Sequence, residues 1–128
     1  MKKLILLLLA MMLLTACGQD KENKQEAVYV NITAQEAKEI MDSQDSYIVL
    51  DTRTQEEYAE SHIPGALLLP YDAVIEKAED MLTDKDQLIL VYCRSGRRSK
   101  LAAEDLVKLG YTNIKEFGGI IDWPYEVE

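Results

Sequence analysis

The heptapeptide Cys93-Arg94-Ser95-Gly96-Arg97-Arg98-Ser99 gathers the residue types best suited to chemistry in this chain. The whole sequence holds four arginines, and three of them lie within five residues of the Cys93 thiol. A thiol attacks only as its thiolate, which neighbouring cations and a helix N-terminus favour. Gly96 lets the backbone turn inward without a Cβ clash, so successive N–H groups can converge on an anion. The pattern suits a cysteine nucleophile that holds an anionic sulfur or an oxyanion. Two plainer readings compete with it: Cys93 as a buried structural cysteine, and the arginines as a solvated basic patch. Against them, the residues after Cys93 are charged or glycine, and the crowded arginines repel one another until an anion or a thiolate relieves them. Ser99 reads as the N-cap of a following helix, with its hydroxyl also available to a ligand.

The elements that position this loop follow from hydrophobic patterning. Leu88 to Tyr92 is an unbroken apolar run and reads as a buried strand delivering Cys93. Ser99 to Leu109 reads as a helix with Leu101, Ala102, Leu106 and Leu109 on its apolar face and Gly110 as its stop. Upstream, Thr33-Ala34-Gln35-Glu36 and Thr54-Gln55-Glu56-Glu57 are capping boxes, opening helices to about Met41 and about Ser61. Tyr47 to Leu50 and Ala66 to Leu69 are short apolar strands, the second set off by Ile63-Pro64-Gly65 and Pro70. Tyr71 to Met81 reads as helical, with Ala73, Ile75, Ala78 and Leu82 toward the core. Asn113 to Phe117 is a last strand, and Gly118-Gly119 turns into a short helix near Trp123. Strands without polar alternation are buried on both faces, as in a mostly parallel sheet covered by helices. The expected fold is therefore a three-layer α/β domain whose ligand site lies beyond the carboxyl ends of the strands, where Asp51 and Cys93 fall.

Several separate segments, taken in order, resemble the rhodanese-like domain. They are Asp51-Thr52-Arg53, Glu57-Tyr58, His62-Ile63-Pro64-Gly65-Ala66, Pro70, the loop from Cys93 to Ser99, Gly118-Gly119 and Trp123. The resemblance runs from about residue 30 to about residue 125. It implies a sulfurtransferase. Cys93 would attack the sulfane sulfur of a donor such as thiosulfate, become a persulfide, and pass the sulfur to cyanide, a thiol or a protein acceptor. The N–H groups of Arg94, Ser95, Gly96, Arg97, Arg98 and Ser99 would stabilise the persulfide. Arg98 would steady donor oxyanions, with Arg94 and Arg97 adding attraction. The resemblance gives Asp51 and Arg53 supporting roles. Spacing allows Arg53 to pair with Glu57 at i+4. His62 fits a structural turn better than a general base, and Trp123 fits a cap on the core. The resemblance implies no cofactor.

Two other functional classes remain open. One is a rhodanese-like module that binds anions or partners, or senses redox state through its thiol, without catalysis. The other is a phosphatase-like enzyme. Dual-specificity phosphatases of the related fold carry arginine six positions after the cysteine, whereas here that position is Ser99. The shorter loop and Tyr92 before the cysteine disfavour phosphate chemistry.

Composition bounds the rest. A net charge of −9 argues against a nucleic-acid partner. At the N-terminus, Lys2-Lys3 precede the apolar run Leu4 to Leu14, too short to span a bilayer. Leu14-Thr15-Ala16-Cys17 resembles the lipobox of bacterial lipoproteins, which implies cleavage before Cys17 and lipidation of its thiol. The expected organisation is a lipoprotein signal peptide over 1–16, lipidated Cys17 with a polar tether over 17–27, and a rhodanese-like domain over 28–128. That arrangement places the domain outside the cytoplasm, anchored to the membrane by lipid, and leaves Cys93 as the one free thiol. With Cys17 taken up by lipid, one cysteine and one histidine remain, and these cannot make a four-ligand structural metal site.

Overall fold

The computed structural model describes residues 28–128. The expected signal peptide over 1–16, Cys17 as a lipid site and the tether over 17–27 lie outside the described residues. Five strands, β1 (Val30–Asn31), β2 (Ile48–Asp51), β3 (Leu67–Leu68), β4 (Ile89–Cys93) and β5 (Ile114–Gly119), form one parallel sheet in the order β1-β5-β4-β2-β3. The helices are α1 (Ala34–Ser43), α2 (Gln55–Glu60), α3 (Val74–Met81) and α4 (Arg97–Lys108).

The central strand β4 explains the layering. Every residue of Ile-Leu-Val-Tyr-Cys is buried. Ile89 and Val91 join a cluster with Val74 and Ala78 of α3 and Ala102, Ala103 and Leu106 of α4. Leu90 and Tyr92 face the other way, toward Ala37 of α1, Ile63, Phe117 and Trp123. A sheet covered on both faces needs strands apolar on both faces, hence the absence of alternation. Trp123 lies in this second cluster, as expected for a residue closing the core.

Both capping boxes form. The Thr33 hydroxyl accepts from the Glu36 N–H while the Glu36 carboxylate accepts from the Thr33 N–H, and Thr54 and Glu57 repeat the exchange. Gly110, at φ +95°, ends α4: its N–H donates to the Val107 carbonyl and the Tyr111 N–H reaches back to Leu106.

Some local readings shift. The segment before α3 is a 3₁₀ turn over Tyr71–Ala73, and Val74 and Ala78 carry the buried face while Ile75 is 54% exposed. On α4 the buried stripe is Ser99, Ala102, Ala103 and Leu106, which leaves Leu101 partly exposed. Ala78, Leu82, Ala102 and Leu106 are buried as expected, while Ile75 and Leu101 each sit one position, about 100° of rotation, off the buried stripe. Strand β1 has two residues, too few to show a period, and owes its form to pairing with Lys115 and Glu116 of β5.

Candidate active site

Cys93 is the last residue of β4, and α4 opens four residues later at Arg97. Gly96 takes the N-cap position at φ +107°, a conformation L side chains rarely adopt. Ser99 is therefore not the N-cap expected from sequence; it is the third helical residue, turned inward. The resulting turn folds over the thiol. The Gly96 N–H donates to Cys93 Sγ at 2.9 Å, and the Ser99 hydroxyl lies 3.3 Å from the same sulfur. Burial pushes the Cys93 thiol up, but the Ser99 hydroxyl and the N–H groups of Ser99, Gly96 and Ser95 outweigh it, and the net direction is down. Cys93 as a whole is 1% exposed.

The loop is held from outside by the end of β5. Gly118, at φ +88°, sits where the β4–β5 register slips between Val91 and Cys93. Gly119 packs so closely that a Cβ there would collide with the Arg94 carbonyl and the Ser95 backbone. The Ile121 N–H donates to that same carbonyl at 3.2 Å.

The three loop arginines part company. Arg98 donates through Nη1 and Nη2 to the two carboxylate oxygens of Glu57, at 2.7 and 2.9 Å. This hydrogen-bonded pairing holds the Glu57 carboxyl down at about 2. Arg94 and Arg97 are exposed, and neither enters an ion pair among the described residues.

The expected Arg53–Glu57 pair does not form. Arg53 precedes the N-cap Thr54, so it is outside the helix and the i+4 relation does not apply to it. Its guanidinium turns instead to Asp51, with Nε 3.0 Å from Oδ1 and Nη2 2.7 Å from Oδ2, and Nη2 also donates to the Ser61 carbonyl at 2.6 Å. Tyr92 Oη donates to Asp51 Oδ2 at 2.6 Å and accepts from the Ile63 N–H at 3.1 Å. Asp51 and Arg53 thus fix the residue adjoining the cysteine from the opposite face of the sheet. His62 stacks on Tyr58 with ring centroids 3.8 Å apart and directs Nδ1 to the Tyr58 carbonyl. Its Nε2 lies 3.4 Å from Glu128 Oε2, and its backbone exchanges hydrogen bonds with Glu128, so its partners lie in the turn and at the C-terminus.

One residue near the thiol escaped sequence reasoning. Glu116 of β5 is 2% exposed, and its Oε1 lies 2.8 Å from both Ser99 Oγ and the Gly118 nitrogen. A signal was present: Glu116 shares a strand face with Ile114, so the period of two places a carboxylate on a buried face.

Comparison with known proteins agrees with this geometry. The rhodanese-like domain family matches residues 33–124, well over half of the chain. Thiosulfate sulfurtransferase PspE of Escherichia coli (strain K12) is 37% identical over 73 residues, which cover 57% of this chain and 70% of that protein. The putative sulfur carrier protein YrkF of Bacillus subtilis (strain 168) is 33% identical over 112 residues, 87% of this chain but 60% of that protein. A solved structure described as rhodanese with anions from E. coli superposes with a TM-score of 0.61 at 32% identity, covering 65% of this chain and 98% of that one.

Proposed function

The chain belongs to the rhodanese-like domain family, and from that premise we propose that it is a sulfurtransferase acting through a Cys93 persulfide. The Cys93 thiolate attacks the sulfane sulfur of a donor such as thiosulfate. A new S–S bond forms to Sγ, the donor's S–S bond breaks, and sulfite leaves with the electron pair. Cyanide or a thiol, free or on a carrier protein, then attacks the outer sulfur and releases the thiolate. The observation that carries this reading is a thiol favoured as thiolate by the Ser99 hydroxyl and converging N–H groups at the carboxyl end of a parallel strand. The N–H groups of the same loop would stabilise the persulfide's negative charge. Arg94 and Arg97, the exposed pair, draw the anionic donor in, while Arg98, clasped by Glu57, ties the loop to α2.

The test is intact-protein mass spectrometry before and after thiosulfate. Gain of one sulfur atom, its removal by cyanide, and no uptake in Cys93→Ser support the reading. No adduct from any sulfane donor overturns it in favour of an anion-binding or redox-sensing module. We also propose that Cys17 carries a lipid that holds the domain on the outer side of a bacterial membrane. Incorporation of a fatty-acid analogue, lost in Cys17→Ala, is the expected result, and unlabelled wild-type chain in the soluble fraction would exclude it.

A further inference from the structure

A carboxylate buried without a cation is costly unless the fold uses it. Glu116 is 2% exposed, and the ion pairs among the described residues leave it without one. Its partners are the Gly118 N–H and the Ser99 hydroxyl. That hydroxyl has one hydrogen and four acceptors within reach: Glu116 Oε1 at 2.8 Å, the Gly96 carbonyl at 3.1 Å, Cys93 Sγ at 3.3 Å and the Gly118 carbonyl at 3.4 Å. The nearest is also the charged one, so the hydrogen goes to Glu116 while the thiol is protonated. A Ser99 lone pair then faces the sulfur and can accept its S–H.

We infer that Glu116 is the internal proton acceptor for the Cys93 thiol, reached through the Ser99 hydroxyl. The inference rests on Cys93 being the sulfur-accepting nucleophile. The transfer balances without outside reagents. The S–H bond breaks as an O–H bond forms at Ser99 Oγ. The original Ser99 O–H bond breaks as one forms at Glu116 Oε1. The products are a thiolate and a neutral carboxylic acid. Ser99, still a hydroxyl, now donates to the sulfur beside the Gly96 N–H, so one movement both deprotonates the thiol and completes its donor set. Glu116 does not touch the reacting sulfur and is a positioning residue.

The surroundings suit an internal transfer. Cys93 faces Glu116 from β4 by way of Ser99 on α4. Burial raises the phenol of Tyr29, preceding β1, and the charges of Glu104 on α4 and of Glu116 add to it. Arg98 lies within electrostatic reach of the sulfur but is paired to Glu57.

A proton shared between two coupled sites titrates in two macroscopic steps. While the pair holds one proton, the thiolate fraction is fixed by the partition between sulfur and carboxylate and does not vary with pH. The experiment is the rate of Cys93 alkylation by iodoacetamide in the full chain, read by intact mass against pH, with Cys93→Ser subtracting the Cys17 contribution. Wild type should show a pH-independent shelf in the alkylation rate over the range in which the pair holds one proton. Glu116→Gln and Ser99→Ala should lose the shelf and fall about tenfold per pH unit. A merely structural Glu116 would move the curve along the pH axis and leave its slope alone. A wild-type curve without a shelf, or a shelf that survives Glu116→Gln, overturns the inference. Should Glu116→Gln fail to fold, the wild-type curve and Ser99→Ala still decide. Sulfur uptake from thiosulfate is followed in the same wild-type preparation. A shelf without uptake refutes sulfur transfer while supporting the proton route, and uptake without a shelf does the reverse.

Discussion

Glu57→Gln isolates the ion pair that joins the active-site loop to α2. Glutamine can also fill the third position of a capping box, so the helix start should survive and the charge alone is lost. The Glu57 carboxyl falls from 4.5 to about 2 on folding, chiefly through its hydrogen bonds to Arg98. A shift of that size corresponds to roughly 3 kcal/mol at neutral pH. The side chains are 21% and 26% exposed, so solvent screens the pair, and the expected loss of stability is about 1–2 kcal/mol. The sign follows from the direction of the shift. A carboxyl held below its unfolded value contributes fully above that value and loses its contribution as pH falls toward the folded one. The gap between wild type and Glu57→Gln should therefore be complete at about pH 7, less than half as large at about pH 3, and about a tenth as large at about pH 2. Urea unfolding of both chains across this range measures it. A gap equally large at about pH 7 and about pH 3 would refute the ion pair as its source.

Gly119→Ala drives a Cβ into the Arg94 carbonyl, which should cost at least about 2 kcal/mol in thermal unfolding and slow sulfur uptake as the loop is displaced. Wild-type stability in this variant would mean that the turn yields freely. Tyr92→Phe removes a donor from buried Asp51 and an acceptor from the Ile63 N–H, for an expected loss of about 1–3 kcal/mol by urea unfolding. A change below about 0.5 kcal/mol would show the network to be dispensable. Arg94→Ala and Arg97→Ala should raise the KM for thiosulfate, more so at low salt, with stability within about 0.5 kcal/mol of wild type. An unchanged KM in both would remove these arginines from donor capture.

What could be read from sequence was local. Both helix starts at Thr33 and Thr54 depend on residues three apart, and both formed. The stop at Gly110 depends on one residue's freedom at positive φ, and it formed too. The burial of β4 followed from its composition alone. The Cys93 thiol's place at a strand end was legible because apolar run, thiol and glycine turn are contiguous. Boundaries and faces were less secure: Ser99 moved from cap to third helical position because Gly96 could take the left-handed cap.

The partners of the charged groups were not legible, and the reason is topological. Arg53 and Glu57 are near in sequence, but the chain turns at Thr54 before the helix begins, so proximity gave no contact. Arg98 and Glu57 are 41 residues apart and meet because β4 lies beside β2, which brings the start of α4 to the start of α2. Glu116 reaches Ser99 across 17 residues because β5 is the other neighbour of β4. The two strands flanking the strand that ends in Cys93 thus each bring up one acid, and the acids act on different parts of the loop. Glu57 neutralises one of three arginines and leaves two exposed for an anion. Glu116 meets the sulfur's own hydrogen-bond donor. Local sequence specifies a cysteine loop, and strand order determines how much positive charge the loop presents and where its proton can go.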